Sequence, residues 1–323
     1  MKYLIQIACI VAVIAGQCAS LAPAAAQTYP AKVIRYIVAF PPGGSNDIFA
    51  RIVGARMTEL MGQTVIVDNR PGGGANIGAE AIARAAPDGH TIGNISATHT
   101  INATLYPKLG YDVLKDYTPI IKVAEIPLLI AAHPVLPVRT PRDLLTLART
   151  RKLTYGSAGV GTPGHLAAEM FRGVGAKELT HVPYKGGGPA AVDLMAGHID
   201  LLFQNMPELV PFVKAGKMRA IAVTSARRDP VLPGTVTMIE AGFPGFDLGN
   251  WLAVVGPVNM PGNIVGRLNS EIVKILNEPA TREKIAAQGF NIATSTPDEA
   301  ARFIRSEHEK WGRLVKLSGA KVD

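Results

Sequence analysis

The sequence predicts an α/β protein of two similar lobes around a shared ligand cleft, and three observations lead there. Short apolar, β-branched runs alternate with amphipathic stretches of helical length, the pattern of a parallel sheet with helices on both faces. The alternation occurs twice, once before about residue 125 and again after residue 150. Three glycine-rich loops, at 43–44, 156–161 and 186–188, each join a strand to a helix start. Amides at a helix start lack partners within their helix and stand at the positive end of its dipole. Three such loops are best explained by N–H groups gathered around one anion.

The chain of 323 residues suffices for two domains of ordinary size. With 48% hydrophobic and 18% charged residues a core is available and disorder is not indicated. Met1–Ala26 reads as a secretory signal peptide: Lys2 is the basic start, Leu4–Ala15 the apolar segment and Ala24–Ala26 the small-residue cleavage site. Export to the periplasm follows. Cys9 and Cys18 both fall in that segment, so the mature chain has no disulfide, thiol nucleophile or cysteine metal site. The formal charge is +8, of which Lys2 supplies one. The basic residues are scattered, which argues against nucleic acid and suits an anionic small molecule.

Val33–Phe40 is a strand, broken by Pro41-Pro42-Gly43-Gly44. Ser45 and Asp47 then open a helix whose stripe is Phe49, Ile52, Val53 and Leu60. Asp47 reads either as a first-turn acid or as a partner for a ligand amine or water. Thr64–Val67 is a short strand, Ile77–Ala85 a helix and Thr91–Ser96 a further strand. Thr98–Asn102 follows as a loop whose polar side chains face the cleft, and Tyr106–Asp116 as a connector. Leu128–Ala132 is a strand that leads to a helix capped by Thr140 with Pro141. The first boundary falls near Glu125, giving residues 27–125 plus 250–323 as one lobe and 126–249 as the other.

In the second lobe Leu153–Ser157, Leu179–Val182, Ile199–Phe203 and Met218–Thr224 are strands. Thr162-Pro163 and Pro189 start helices, the second of which stops at Gly197. Ala226–Gly245 is a connector, and Trp251–Gly256 an apolar run that returns the chain to the first lobe. Helices follow at Asn263–Leu276, at a short segment ending at Gly289, and from the capping box of Thr296, Pro297 and Glu299 to about Leu317.

Gly159–Gly164 matches G-x-G-x-x-G, but Pro163 is a helix-start residue and no strand ending in an acid stands about 20 residues on. No phosphate-loop or nucleophile-elbow string occurs. The seven histidines show no metal-ligand spacing. Ser157 with His165 would make a nucleophile pair, though without an obvious orienting acid.

FPPGGSNDIFAR, NRPGGGANIGAE, LTYGSAGVGTPGHLAAEMF, HVPYKGGGPAAVDLMAGHIDLLF and KWGRLVKLSG, in this order over the whole mature chain, resemble the Bug family. These are the extracytoplasmic solute receptors of tripartite tricarboxylate transporters. The resemblance implies a type II periplasmic-binding-protein fold and a small mono- or dicarboxylate between the lobes. It further implies inner-membrane transporter subunits as partners. No catalysis, cofactor or metal is expected, and the chain is expected to be a monomer. The family's first clamp falls on Phe40, Gly43, Gly44, Ser45 and Asp47, and its second on Ser157, Gly159, Gly161 and Thr162 with His165 behind. Thr98 and Asn205 complete the set. Gln204 stands where many members have Asp. A periplasmic hydrolase using Ser157 and His165, or a ligand sensor feeding a signalling partner, are the alternatives.

Overall fold

The computed structural model describes residues 29–321, so the segment read as a signal peptide, with Cys9 and Cys18, lies outside the described residues. Strand β1 (Ile34–Val38) is flanked in parallel by β2 (Val65–Asn69) and β3 (Thr91–Ser96). Helix α1 (Ser45–Met61) buries Phe49, Val53 and Met57 against Ile34, Tyr36 and Val38. It ends at Gly62, whose φ of 70° suits a left-handed cap. Helix α2 (Asn76–Ala83) packs on β1 and β3.

The segment expected as the loop Thr98–Asn102 is instead helix α3 (Ala97–Leu105). Its β-branched residues favour other conformations, but tertiary contacts override that weak preference. Ile101 and Leu105 enter the core, the Ser96 amide donates to His99 Nδ1, and the Ala97 amide donates to Asn250 Oδ1.

The strand expected over Leu128–Ala132 is the end of a much longer one, β4 (Tyr117–Ala132). Pro119, Lys122 and Glu125 interrupt its apolar pattern, and two register shifts between Pro119 and Ala124 absorb the interruption. Helix α4 (Pro141–Thr150) begins at the predicted Thr140 cap with Pro141, and Asp143 completes a capping box there. Next come β5 (Leu153–Ser157), α5 (Pro163–Gly173), β6 (Leu179–Pro183) and α6 (Gly187–Ala196). The last of these starts two residues before the expected Pro189, which then lies in the first turn, where a missing N–H is harmless. Strand β7 (Leu201–Asn205) runs two residues later than expected and feeds a 3-10 turn at Met206–Glu208. After α7 (Val210–Lys214) and β8 (Arg219–Val223), β9 (Gly249–Pro257) returns the chain. Helices α8 (Gly262–Asn277) and α9 (Pro279–Ala286), strand β10 (Asn291–Ile292) and helix α10 (Pro297–Ser318) complete the fold.

The strand order is β2-β1-β3-β9-β4-β7-β5-β6, with β8 and β10 also paired to β4. The two flanks are parallel, as the alternation predicts, but β9 runs antiparallel to both β3 and β4, and β4 antiparallel to β7. One strand therefore serves both flanks: β4 pairs with β9 as far as Pro127, and with β7 and β8 from Leu128 on. Helix α10 packs against α3, β4 and α5.

Candidate functional site

The carboxyl ends of β1, β3, β5 and β6 each open into a helix, and the four helix starts converge on one cleft. Its walls include Gly44, Ser45 and Asn46 at the start of α1, and Thr98 in the first turn of α3. They continue with Thr162, Pro163 and Gly164 at the start of α5, and Gly186, Gly187 and Gly188 at the start of α6. Gln204, Asn205 and Glu208 close the wall from the end of β7, with Asn250 from β9 and the Phe40–Pro42 turn. The space measures about 420 Å³, mouth included. None of its lining residues is Lys or Arg. Positive potential here comes from first-turn amides and helix dipoles.

A polar network joins these elements. Asn205 Nδ2 donates to Ser45 Oγ at 2.7 Å, and Asn250 Nδ2 donates to Asn205 Oδ1 at 3.2 Å. Asn250 Oδ1 accepts from the amides of Ala97 and Trp251. Asn94, wholly buried, donates to the Asn46 carbonyl and steadies the first turn of α1. Asn46 Oδ1 is buried without a hydrogen-bond partner among the described residues.

Of the residues singled out from the sequence, Phe40, Gly44, Ser45, Thr98, Thr162 and Asn205 line this cleft. The other six do not line it but shape or brace its wall. Gly43 is exposed at φ 84°, and its amide donates to Asp47 Oδ2. Asp47 also accepts from Asn69 Nδ2 and from Arg51, so it braces the glycine turn rather than meeting a ligand amine. Burial alone would raise its carboxyl, but the hydrogen bonds from Arg51, Gly43 and Asn69 outweigh it and hold the group below the ordinary range.

Gly159 and Gly161 take φ of 132° and 80°, and a side chain on either would meet the Tyr184 carbonyl or Asn102. They shape the turn. Ser157 is fully buried and its hydroxyl lies 2.7 Å from His181 Nε2, not beside His165. His165 stacks on His181, ring centroids 4.4 Å apart, and its Nδ1 accepts from the Gly161 amide. Burial lowers the His165 pKa, and burial together with His165 and Arg172 lowers that of His181 to about 3. Both rings are neutral near pH 7. The paired nucleophile expected of Ser157 and His165 is not formed, and neither residue reaches the cleft.

Sequence reasoning missed Asn46, Gly164, Asn250 and Glu208. Glu208 gave only the bland signal of an acid just after a proline at a helix start. In the structure its Oε1 accepts from the Ser45 amide at 2.9 Å and its Oε2 from Gln204 Nε2 at 2.7 Å. Gln204 itself was noted only as a departure from the family pattern.

The sequence and the fold are similar to those of known proteins. The chain is 36% identical over 305 residues to protein BugT of Bordetella pertussis, covering 93% of this chain and 94% of that one. The structure of R. palustris Rpa4515 with adipate superposes with a TM-score of 0.88 at 34% identity, over 91% of this chain and all of that one. MatC from Rhodopseudomonas palustris with bound malate gives 0.83 at 29% identity, over 89% of this chain and 100% of the other. Periplasmic binding protein BugD gives 0.87 at 30% identity, over 91% and 99%. The fold is therefore the two-lobe periplasmic-binding-protein fold with its cleft between lobes. The family profile described as tripartite tricarboxylate transporter family receptor matches residues 49–320, and the chain belongs to that family.

Proposed function

We propose that this receptor is secreted, binds a small mono- or dicarboxylate in the cleft described above, and delivers it to the membrane subunits of a tripartite transporter without catalysing any reaction. The moving bodies would be residues 27–125 with 250–323 and residues 126–249, closing about the strands β4 and β9 that link them. The observation that carries this reading is the meeting of four helix starts on a cleft whose lining has no basic side chain. Rpa4515 with adipate and MatC with malate, relatives of the same fold, supply the ligand class.

The energies suffice. A partly buried helix N-terminus contributes up to ~2 kcal/mol toward an anion, and a charge-assisted amide bond roughly 1.5–3 kcal/mol before ordering costs. Micromolar binding needs about −8 kcal/mol. A peptide-based clamp explains how one scaffold recognises carboxylates while neighbouring side chains choose the remainder of the molecule.

Calorimetric titration of the mature protein with a panel of mono- and dicarboxylates, malate and adipate among them, tests the reading. Gly44→Val adds γ-carbons at a cleft wall. The β-carbon itself fits, its nearest neighbour being the Pro41 carbonyl at 3.6 Å. Thr162→Val removes the α5 cap, which accepts from the His165 amide and donates to the Gly159 carbonyl at 2.8 Å, at a cost of about 1 kcal/mol. Both variants are expected to fold and to weaken binding by about tenfold, roughly 1.4 kcal/mol. Normal binding by both would mean that the clamp lies elsewhere, and silence toward every carboxylate would remove the reading itself.

A further inference from the structure

The carboxylate of Glu208 sits where an anionic guest would be expected. Its Oε1 takes the Ser45 N–H, a first-turn amide of α1. Its Oε2 lies so close to the start of α6 that a β-carbon built on Gly187 would fall 1.6 Å from it. Gln204 Nε2 and Asn205 Nδ2 supply further donors, at 2.7 Å and 3.4 Å. A carboxylate thus already occupies the seat that helix starts create for one, and it ties α1 to the turn after β7 across the cleft.

Resting on the carboxylate-receptor reading, we infer that Glu208 is a built-in competitor for the guest's carboxylate: it must take up a proton when an anion binds, so Glu208 sets both the affinity and its pH dependence. Two carboxylates cannot share a dry seat while both are ionised. The groups facing Glu208 are all uncharged: Ser45 on α1, Gln204 and Asn205 on β7, and Gly187 on α6. The titratable groups carried by or beside those elements are engaged or exposed. Asp47 is held by Gly43, Arg51 and Asn69, Asp193 by Tyr184 and His198, and Lys185 is exposed. On β4, which packs on the turn, Lys122 pairs with Glu125, and on α7, which also packs on it, Lys214 is exposed. Glu208 is the one titratable residue among those lining the cleft.

The protonation is accessible. Burial raises the Glu208 carboxyl, and hydrogen bonds from Ser45, Gln204 and Asn205 offset only part of that rise. The sign follows: the proton is bound more readily as pH falls, the repulsion is relieved, and a fully ionised guest binds more tightly at lower pH. Ionised guest and unprotonated Glu208 coexist least well at the alkaline end.

The test is calorimetric titration of the mature protein and of Glu208→Gln with malate and with adipate, at a series of pH values on the alkaline side of an ordinary glutamic acid's titration. The wild type should gain affinity by up to ~10-fold for each pH unit lowered, the limit for one proton. Repeating the titration in buffers of different ionisation enthalpy should register proton uptake in the wild type, a readout that needs no variant. Glu208→Gln should bind about tenfold tighter than wild type near pH 8, without pH dependence or proton uptake. Equal affinities and equal pH profiles, with no uptake in the wild type, would overturn the role of Glu208 while leaving the carboxylate receptor standing. Failure of both proteins to bind either acid at any pH would overturn both ideas.

Discussion

Gly164→Ala is expected to lower the unfolding temperature and to abolish carboxylate binding, although it adds a single methyl group. Gly164 lies in the first turn of α5 at the cleft wall. A β-carbon there would stand 2.0 Å from the Phe203 carbonyl oxygen and 2.9 Å from its carbon. Those atoms belong to the backbone of β7 and cannot rotate away. The helix start must retreat by more than an ångström, at a cost of about 1–3 kcal/mol and more if β7 resists. Because Phe203 immediately precedes Gln204 and Asn205, the same shift separates Thr162 from the Asn205–Ser45 contact and opens the seat.

Gly44→Ala is the matched control. Gly44 also lines the cleft, but its β-carbon would have only ordinary van der Waals contacts, so one added methyl should leave the melting temperature near that of the wild type. Thermal unfolding followed by malate titration compares the two. A Gly164→Ala protein as stable as Gly44→Ala and still binding would show that α5 does not press on β7 as described.

The contrast between these glycines marks what was legible in the sequence. A strand that ends in glycines and feeds a capped helix is a local pattern, so the loops at 43–44, 156–161 and 186–188 could be placed from residue types alone. Which glycines are there for a positive φ, which for a close approach and which for an open wall depends on the partner strand, and no local pattern carries it. The same limit explains α3. Its residues are poor helix formers, and what folds them is Asn250, about 150 residues away, accepting the Ala97 amide. Strand β4 was legible only in its apolar end, because Pro119, Lys122 and Glu125 obscure a segment held by pairing with β9 on one edge and β10 on the other. Glu208 was illegible for another reason. An acid at a helix start is ordinary, and it becomes a cleft residue only because β7 delivers it against Ser45 of a distant helix.

Removing the carboxylate of Glu307 should cost about 2–6 kcal/mol of stability, since each of two buried donors left without its acceptor costs roughly 1–3 kcal/mol. Glu307 Oε2 accepts from Trp251 Nε1 at 2.9 Å and from Trp311 Nε1 at 2.8 Å. Those are the two tryptophans of the chain, at 2% and 0% exposure, so both indoles lie in the core and away from the cleft lining. One side-chain oxygen thereby fastens α10 to β9, at the Trp251 position that pairs with Glu125 where β4 leaves one flank for the other. Glu307→Ala strands two buried N–H groups and removes the packing between them. Glu307→Gln keeps a carbonyl oxygen able to accept two donors while discarding the charge, and should recover most of the loss. Urea unfolding followed by tryptophan emission reads the effect directly, because both fluorophores contact the mutated group. A lower midpoint with an unchanged slope is expected for Glu307→Ala, with intermediate behaviour for Glu307→Gln. If the alanine variant unfolds at the wild-type midpoint, the paired indoles are satisfied by other means, and the closing helix is held by its apolar face of Ala300, Ile304 and Val315 alone.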